Sequence, residues 1–322
     1  MSNFIPNQTA LVTGCAGFIG SNLVDMLLKK NWNVIGIDNF STGKIEFLTF
    51  ALKQSNFKLH KVDLKFEEHL HKLMKDVDIV FHLAANADVR FGVEKPRIDL
   101  EQNTIVTHNV LEAMRLSNVK KIVFSSTGSV YGDSYLYPTP ENAPFPIQTS
   151  FYGASKLACE GLIQAYCEAY EMKSWIFRFV SILGKRYTHG HIVDFYKQLI
   201  LNPHELKVLG NGKQRKSYLH VIDCLSAIEV GLRGSNDKIN IFNLGFDGVC
   251  EVKDSIEWIL ERLKINPKIT YGTESRGWVG DNPLIHLSIE KISSLGWKPT
   301  HTIQEGVEST VDFLIENQWV VK

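Results

Sequence analysis

A tyrosine and a lysine four residues apart could together supply a general base. Tyr152 and Lys156 lie where apolar residues recur at helical spacing, so the two side chains share one face of a predicted helix. A lysine ammonium beside a phenol favours the phenolate, because an opposite charge stabilises the ionised form. We therefore expect Lys156 to lower the pKa of Tyr152 toward neutrality, where the phenolate is a usable base. Such a pair more often has no role, so its interpretation depends on the rest of the chain.

The composition excludes several classes of protein. The 322 residues are 44% apolar, enough to form the core of one large or two smaller domains. Lys+Arg and Asp+Glu both number 35, so no net charge favours nucleic acid or an acidic membrane. Five cysteines without a Cys-x-x-Cys pair indicate free thiols in a reducing compartment. With no signal peptide and no apolar run of membrane-spanning length, we expect a soluble, cytoplasmic protein without nucleic-acid or membrane partners.

A glycine-rich turn follows the first predicted strand and opens a helix. Gly14, Gly17 and Gly20 come directly after the apolar segment Thr9–Thr13. Glycines let the backbone approach a pyrophosphate, and a helix N-terminus supplies free N–H groups. Asp38 ends the next strand, where a carboxylate accepts hydrogen bonds from ribose hydroxyls and repels a 2′-phosphate. This favours NAD over NADP, and the alternative for Asp38 is a strand-end cap.

Strands alternate with helices along the first 250 residues. Predicted strands cover residues 9–13, 32–37, 57–62, 77–83, 121–124, 174–179 and 239–244, with long helices at about 97–117 and from 152. This alternation implies right-handed crossovers and an α/β fold with a doubly wound parallel sheet of the Rossmann type. The polar turns follow the carboxyl ends of strands, which is where ligands bind in such sheets.

Taken together, these motifs resemble the extended short-chain dehydrogenase/reductases, specifically the NAD-dependent nucleotide-sugar epimerase/dehydratase family. The resemblance covers essentially the whole chain, and the ordered set is specific although each motif alone is weak. The motifs are Thr13-Gly14-x-x-Gly17-x-x-Gly20, Asp38-Asn-Phe-Ser-Thr-Gly43, Asp63-Leu64, His82-Leu-Ala-Ala85, Ser125-Ser-Thr127, Val130-Tyr-Gly132 and Tyr152-x-x-x-Lys156.

The resemblance implies a set of NAD contacts. The pyrophosphate would be held by Gly14, Gly17, Phe18, Ile19 and Gly20, and the adenosine ribose by Asp38, Asn39, Ser41 and Thr42. The adenine would contact Asp63 and Leu64, and the nicotinamide side Leu83, Ala84 and Ala85. The remaining expected contacts are Asn103, Ser125, Tyr152 and Lys156.

The same resemblance implies three catalytic residues. Tyr152 would remove a proton from a sugar hydroxyl while a hydride goes to the nicotinamide, and Lys156 would also bind the nicotinamide ribose. Thr127 occupies the place where the family keeps a Ser or Thr bonded to the reacting oxygen. The alternative for Thr127 is a role in the turn at the end of its strand.

Departures from the family pattern bear on the reaction. Family members that dehydrate a 4-keto sugar generally have Asp-Glu, or at least Glu, directly after that Thr, but this chain has Gly128 and Ser129. Eliminating water across C5 and C6 needs a base and an acid, and neither residue can supply them. We therefore expect oxidation at C4 without 4,6-dehydration. The outcome would most simply be 4-epimerisation through a 4-keto sugar; the alternatives are net dehydrogenation with release of NADH, or a non-catalytic NAD-binding sensor.

The C-terminal half carries the expected substrate contacts. The family's Asn and Pro after the strand at 174–179 are replaced by Ser181 and Lys185, and its phosphate-binding Arg by Lys216. The substrate would be a GDP- or UDP-linked hexose or heptose. Its candidate contacts are Asn86, Arg90, Thr127, Ser181, Arg186, Arg215, Lys216 and Arg276.

The resemblance also implies a domain organisation. Residues 1–184, with 216–249 returning to them, would form the NAD-binding domain, and residues 185–215 and 250–322 mainly a smaller substrate lobe. A homodimer through the helices that carry Asn103 and Tyr152 is expected, as is a place in polysaccharide biosynthesis. We expect no metal, although His189-Gly-His191 resembles a ligand pair, since NAD-dependent oxidation needs none.

Overall fold

The computed structural model describes residues 8–66, 69–86, 88–144, 147–275, 277, 282 and 284–321. Its strands are β1 (Thr9–Thr13), β2 (Asn33–Asp38), β3 (Phe57–Lys61), β4 (Ile79–His82), β5 (Lys121–Thr127), β6 (Lys173–Phe179), β7 (Ser181–Leu183), β8 (Glu205–Val208), β9 (Arg215–Lys216), β10 (Tyr218–His220), β11 (Ile239–Leu244), β12 (Cys250–Glu251), β13 (Lys268–Tyr271) and β14 (Leu284–Ile285). Its helices are α1 (Phe18–Lys29), α2 (Phe91–Glu94), α3 (Arg97–Asp99), α4 (Val106–Leu116), α5 (Phe151–Tyr170), α6 (His191–Leu201), α7 (Val221–Gly234), α8 (Val252–Leu263), α9 (Glu290–Ser293) and α10 (Ile303–Glu316).

The chain divides into two compact units. The first consists of Met1–Val130, Phe151–Arg178 and Ile228–Phe242, and the second of Tyr131–Ser150, Phe179–Ala227 and Asn243–Lys322. The assignment of a substrate-binding role to the C-terminal segments stays a prediction. No helix in the described ranges is long and apolar enough to cross a membrane.

A seven-stranded parallel sheet organises the first unit. Its strand order is β11-β6-β5-β4-β1-β2-β3. β1 pairs with β2 on one side and with β4 on the other, so the connections reverse direction between β1 and β4. Ligands bind beyond the carboxyl ends of the strands at such a reversal. The predicted doubly wound Rossmann-type fold is confirmed.

One face of the sheet packs with α4 and α5 in a single apolar cluster. Leu11, Val80 and Ile122 come from neighbouring strands and pack with Val110 of α4 and Ile163 of α5. These residues are fully buried, and burying each such side chain contributes about 1.5–3 kcal/mol to folding. The core thus fixes the helices that carry Tyr152 and Asn103 against the strands that carry the nucleotide motifs. All five cysteines are free and buried.

The helix predicted at residues 97–117 contains an irregular segment. α3 continues into a π-helix, Leu100–Ile105, before α4 begins. A π-helical turn holds one more residue than an α-helical turn, and such segments are frequent at functional sites. Asn103 lies inside this segment and is 1% exposed. The irregular turn thus directs an amide side chain into the interior.

The second unit contains three small sheets. β10 pairs with β7, β13 pairs with β8, and β9 lies between β12 and β14. Helices α6 and α8 both pack against α10. Asp223 of α7 is 1% exposed and accepts hydrogen bonds from the Thr300 hydroxyl, at 2.6 Å, and from the backbone N–H of His301, at 2.9 Å. This carboxylate connects α7 to the chain that precedes α10.

A buried ion pair ties α5 to the sheet. The guanidinium of Arg178 donates to Glu160 at 3.0 and 2.7 Å, and the Ser126 hydroxyl donates to the same carboxylate at 2.5 Å. Both charged side chains are at most 2% exposed. Two hydrogen bonds in parallel fix the orientation of the pair, so α5 is held in one position against β5 and β6.

Replacing Glu160 tests this connection. Glu160→Ala leaves the Arg178 charge buried without its partner, which should reduce the free energy of unfolding by about 3–5 kcal/mol in urea denaturation. Glu168→Ala, on the same helix, removes an ion pair with Lys238 whose side chains are 63% and 49% exposed. That control should cost less than about 1 kcal/mol. Equal losses from the two variants would contradict this role for the buried pair.

Candidate active site

The turn after β1 requires glycine for reasons that the structure makes explicit. Gly14 has φ of +68°, and a Cβ atom there would lie 2.8 Å from the backbone nitrogen of Ala84. A Cβ atom on Gly20 would overlap the carbonyl oxygen of Gly14. Gly17 is the N-cap of α1, and no side chain among the described residues caps this helix. The turn therefore presents bare backbone and a helix N-terminus, which is the form of a pyrophosphate site.

Asp38 is held at the end of β2 by two backbone groups. Its carboxylate accepts hydrogen bonds from the N–H of Ala16, at 2.9 Å, and from the N–H of Phe40, at 2.8 Å. Burial raises the pKa of Asp38, and these two hydrogen bonds act in the opposite direction. A Cβ atom on Gly43 would lie 2.7 Å from one carboxylate oxygen, so the following turn also needs its glycine. The carboxylate is fixed beside the glycine-rich turn, as ribose binding requires.

The polar turns after β2 and β3 meet at the same edge of the sheet. The Asn39 amide donates to the carboxylate of Asp63 at 3.3 Å. Asn39 also accepts from the N–H of Ser41 at 3.0 Å, and Asp63 accepts from the N–H of Lys65 at 3.0 Å. The structure thus brings together the residues predicted to hold the adenosine half of NAD. Thr42 and Leu64 lie in these same two turns.

A histidine supports the turn after β4. The hydroxyl oxygen of Thr13 accepts from the N–H groups of Leu83 and Ala84 at 3.1 and 3.2 Å, so its own proton goes to Nδ1 of His82, at 2.7 Å. The proton of His82 then lies on Nε2 and is donated to the Thr107 hydroxyl at 3.0 Å. Burial lowers the pKa of His82 to about 3, so the ring stays neutral. The predicted nicotinamide-side turn, including Ala85, is fixed by this uncharged chain of hydrogen bonds.

Lys156 is buried against the strand that carries Thr127. Its ammonium donates to the carbonyl oxygen of Ser125 at 2.8 Å and lies 4.6 Å from the centre of the Phe124 ring. The side chain is 2% exposed, and burial lowers the pKa of Lys156 to about 8. Lys156 is therefore mostly charged at neutral pH and loses its proton under mildly alkaline conditions.

The predicted effect of Lys156 on Tyr152 is not found in this structure. The pKa of Tyr152 is raised, chiefly by burial and secondarily by the negative charge of Asp99. The Lys156 ammonium is directed instead to the Ser125 carbonyl. The sequence spacing places both residues on one helix. It does not show that Tyr152 is buried, and this burial raises the pKa of Tyr152 despite the nearby lysine.

Thr127 ends β5, and its hydroxyl is oriented by the next turn. It donates to the Ser129 hydroxyl at 3.2 Å and accepts from the N–H of Ser129 at 3.1 Å. The strand extends to Thr127, so Ser125 lies within the strand and its hydroxyl donates to the His82 carbonyl at 3.4 Å. The strand predicted at residues 121–124 thus ends three residues later than expected.

Two asparagines connect the turn after β4 with α5. The N–H of Asn86 donates to the Asn103 side chain at 2.9 Å, and the Asn103 amide donates to the Ser155 hydroxyl at 2.8 Å. Both amides also donate to the buried carboxylate of Asp99, at 2.9 and 3.3 Å. Asp99 was missed by the sequence reasoning, although it lies four residues before Asn103 and hence on the same side of the predicted helix.

The remaining predicted substrate contacts lie in several different elements, and one of them lies outside the described residues. Arg90 makes two hydrogen bonds to the carboxylate of Asp88, at 3.0 and 2.8 Å. In the second unit, Ser181 begins β7, and Arg186 has φ of +75°. Arg215 and Lys216 form β9, and Arg276 lies outside the described residues. Their roles stay predictions.

The predicted metal candidates have other partners. The His189 ring stacks on Tyr187, with ring centres 5.6 Å apart, and His191 hydrogen-bonds the Ser255 hydroxyl at 3.2 Å. Within the described ranges, no group of three or more His, Cys, Asp or Glu side chains is arranged to hold a metal ion.

The fold and this edge of the sheet define a class of protein. The parts of a dinucleotide-dependent oxidoreductase are present. They are bare glycine backbone at a helix N-terminus, a fixed acidic side chain at the end of the next strand, and a Tyr–Lys pair on α5, whose lysine contacts β5. The residues fit NAD, because the glycine-rich turn leaves bare backbone at a helix N-terminus and the Asp38 carboxylate is fixed beside it.

Comparison with known proteins gives the family. The family model described as the NAD dependent epimerase/dehydratase family matches residues 10–245. The chain belongs to this family, and it is an NAD-dependent nucleotide-sugar enzyme of the short-chain dehydrogenase/reductase type.

Three relatives illustrate the similarity. The UDP-glucose 4-epimerase of Mycolicibacterium smegmatis is 31% identical over 94% of this chain and 97% of its own. The structure of the Thermotoga maritima UDP-glucose 4-epimerase with UDP-glucose is 29% identical, with a TM-score of 0.87 over 97% of this chain and 100% of its own. The Bacillus cereus UDP-glucuronic acid 4-epimerase, solved with UDP-glucuronic acid and NAD, is 28% identical, with a TM-score of 0.88 over 96% and 99% of the two chains.

Filling the glycine turn tests the NAD site. Gly20→Ala places a methyl group against the Gly14 carbonyl, so the turn must shift, and we expect NAD affinity to fall more than about tenfold in calorimetric titration. Gly161→Ala is the control, because a Cβ atom there meets nothing within 4 Å. The control should keep full NAD affinity, because its added methyl group meets no other atom of the chain. Unchanged affinity in Gly20→Ala would contradict the placement of the pyrophosphate.

Proposed function

We propose that the protein interconverts the C4 epimers of a UDP-linked sugar, with NAD as its bound cofactor. The observation that carries the proposal is the position of Tyr152, Lys156 and Thr127. Thr127 ends β5, Lys156 donates to the carbonyl of Ser125 in the same strand, and Tyr152 lies one helical turn before Lys156 on α5. The chain aligns over nearly its full length with UDP-sugar 4-epimerases. The fold alone would not support the proposal, because one fold serves many activities.

The cofactor would be held by residues of the first unit. Gly14, Gly17, Phe18, Ile19 and Gly20 would bind the pyrophosphate, Asp38, Asn39, Ser41 and Thr42 the adenosine ribose, Asp63 and Leu64 the adenine, and Leu83, Ala84, Ala85, Asn103, Ser125, Tyr152 and Lys156 the nicotinamide half. When bound, NAD supplies a reversible hydride acceptor next to C4 of the sugar.

Tyr152 would take the proton from the C4 hydroxyl group and later return it. Removal of this proton and loss of the C4 hydride leave a 4-keto sugar. Return of the hydride to the opposite face of the C4 carbonyl, and of the proton to its oxygen, gives the epimer. The Thr127 hydroxyl would bind the reacting oxygen. Lys156 would hold the ribose through its ammonium group, which requires the lysine to stay protonated.

Dehydration is disfavoured by the residues after Thr127. Gly128 has no functional group, and the Ser129 hydroxyl accepts from Thr127 rather than presenting a carboxyl acid or base. The 4-keto sugar would therefore keep its C6 substituent, which supports epimerisation over elimination.

The nucleotide is proposed from the relatives. Their names specify UDP-glucose and UDP-glucuronate, which favours UDP over the GDP that the sequence left open. In the second unit, Lys216 lies on the middle strand of the three-stranded sheet formed by β12, β9 and β14. A lysine there can neutralise a phosphate as a point charge but cannot bind it bidentately as an arginine does. The other proposed substrate contacts are Asn86, Arg90, Ser181, Arg186, Arg215 and Arg276.

The function is tested with UDP-glucose, UDP-glucuronate, UDP-N-acetylglucosamine and GDP-mannose in the presence of NAD. Conversion of one UDP-sugar to its C4 epimer, without accumulation of NADH, is the expected result. Accumulating NADH with a keto-sugar product would replace the epimerase by a net dehydrogenase. Absence of turnover with all four, while NAD still binds, would favour the non-catalytic alternative.

Tyr152→Phe tests the base. Loss of the phenol should reduce kcat at least about 100-fold, because a positioned proton acceptor contributes that much or more, while NAD binding persists. Tyr170→Phe on the same helix is the matched control and should keep wild-type kcat, since this exposed ring has no part in the proposed chemistry. Full activity in Tyr152→Phe would show that another group is the base.

We also propose that the protein is a homodimer through α4 and α5. The outer face of α5 exposes the small residues Ala158, Gly161 and Ala165, while α4 exposes Leu116. A helix face of small residues lets another helix approach closely. An exposed apolar face of this kind on a monomer is better explained by a partner than by solvent.

Placing a charge on this face tests the homodimer. Ala158→Arg keeps a good helix former but puts a charged side chain in the contact, so light scattering should give the mass of a monomer. Gln304→Arg, on an exposed position of α10, should keep the mass of the dimer. A monomeric wild-type protein, or a dimeric Ala158→Arg variant, would contradict the interface.

A further inference from the structure

A buried carboxyl group that the proposed reaction does not use lies near the predicted base. Asp99 is 1% exposed, and its Oδ1 atom accepts hydrogen bonds from Asn86 at 2.9 Å and from Asn103 at 3.3 Å. Its Oδ2 atom is buried and has no hydrogen-bond partner among the described residues. A buried carboxyl oxygen without a donor is costly, so packing alone does not account for this residue.

Gly92 provides the space for this oxygen. A Cβ atom on Gly92 would overlap Oδ2 of Asp99 and would lie 3.0 Å from Cβ of Phe151. Phe151 is the first residue of α5 and directly precedes Tyr152. The carboxyl group is thus enclosed between α2, α3 and the start of the helix that carries the base.

A chain of hydrogen bonds connects Asp99 to the backbone of the base. The Asn103 amide donates to Asp99 and also to the Ser155 hydroxyl, which donates in turn to the carbonyl oxygen of Tyr152 at 2.8 Å. Asn86, the other donor to Asp99, ends the turn that follows β4. Asp99 is therefore the acceptor that holds both amides of this chain.

Asp99 is one of the groups whose charge acts on the catalytic pair. Burial is the largest influence on the pKa of Tyr152, which it raises, and the negative charge of Asp99 comes next in the same direction. Burial is also the largest influence on the pKa of Lys156, which it lowers, while Cys159, Glu160 and then Asp99 raise it. Burial raises the pKa of Asp99 itself, and the positive charge of Lys156 opposes this. Asp99 and Lys156 thus each favour the ionised form of the other.

The other titratable groups that face the pair are neutral or already paired. His82 of β4 is neutral, because burial lowers its pKa to about 3. Burial raises the pKa of the Cys159 thiol, which therefore stays protonated at neutral pH. Glu160 is paired with Arg178 at 2.7 Å. Among the residues that the structure describes, no such cation lies within hydrogen-bond distance of the Asp99 carboxylate.

We propose that Asp99 is a positioning residue that acts through Tyr152 and Lys156. Its buried carboxylate, held at the start of α5 by Asn86 and Asn103, favours the charged form of Lys156 and the neutral form of Tyr152, and so shifts the pH range in which the pair works. The kinetic consequence rests on the proposed function, whereas the charge effect is a property of the enzyme with NAD alone.

The direction of the effect follows from the charge. Removing a negative charge lowers the pKa of each neighbouring group. In Asp99→Asn, Tyr152 should therefore ionise at lower pH, and Lys156 should lose its proton at lower pH. Because turnover needs tyrosinate together with a charged lysine, the acid and alkaline limbs of the kcat profile should both move to lower pH, by about one unit. A loss of packing alone would lower kcat without moving both limbs in this direction.

The direct measurement is an ultraviolet titration of tyrosinate in the enzyme with NAD bound. The chain has 10 tyrosines, so the Tyr152 signal is the difference between each protein and the same protein carrying Tyr152→Phe. We expect the Tyr152 midpoint in Asp99→Asn to lie about one pH unit below that of the wild type. An unchanged or higher midpoint would overturn the proposal.

Asp223→Asn is the matched control. Asp223 is also 1% exposed and also accepts hydrogen bonds, from the Thr300 hydroxyl and from the backbone N–H of His301, whose ring Nδ1 lies 3.0 Å from it as well; it belongs to the second unit. The Asp223→Asn variant should lose stability as Asp99→Asn does, but the pH midpoint of Tyr152 ionisation should stay at its wild-type value. An equal shift in both variants would assign the effect to loss of a buried carboxylate in general, and would overturn the role of Asp99.

A second variant covers the case in which Asp99→Asn does not fold. Asp99→Ser is smaller, carries no charge and retains a hydroxyl acceptor for the two amides, and the same shift of the Tyr152 midpoint to lower pH is expected.

Failure of this inference is distinguishable from failure of the proposed function. A wild type without epimerase activity leaves the tyrosinate titration intact, and an unmoved midpoint in an active enzyme overturns only the inference about Asp99.

Discussion

The close approach of two turns, one after β1 and one after β4, is the constraint on which the site depends. Gly14 lies so near the backbone of Ala84 that no side chain fits between them, and the Thr13 hydroxyl holds the same turn through two N–H groups. Backbone contact therefore sets the distance between the glycine-rich turn after β1 and the turn after β4. Elements further out, including the π-helical segment and α5, are placed relative to this contact by hydrogen bonds.

The site is built largely from neutral hydrogen bonds, with few buried charges. His82 stays uncharged, and the two asparagines and Ser155 form a connected set of hydrogen bonds that includes Asp99. Networks of this kind stiffen their surroundings, and the unpaired Oδ2 atom of Asp99 is the costly exception among the described residues. The buried charges that remain, on Lys156, Asp99, Glu160 and Arg178, therefore exert effects that solvent does not screen.

Local patterns were sufficient to predict the parts of the site that depend on backbone and spacing. The strand, glycine turn and helix around Gly14 follow from residue types that allow few conformations, and Asp38 follows from its place at the end of a strand. The raised pKa of Tyr152 could not be predicted, since it depends on burial by segments far away in sequence. Asp99 was missed for the same reason: a carboxylate on a helix is ordinary until the fold encloses it between α2 and α5.

The burial of all five cysteines has a practical consequence. A buried thiol reacts with an alkylating reagent only when the surrounding structure opens, so the native protein presents no competing nucleophile of this type on its surface. A single cysteine introduced at an exposed position can carry a fluorescent or spin label without removal of the native ones. The same five thiols, spread over both compact units, serve as internal reporters of local opening at residues 15, 159, 167, 224 and 250.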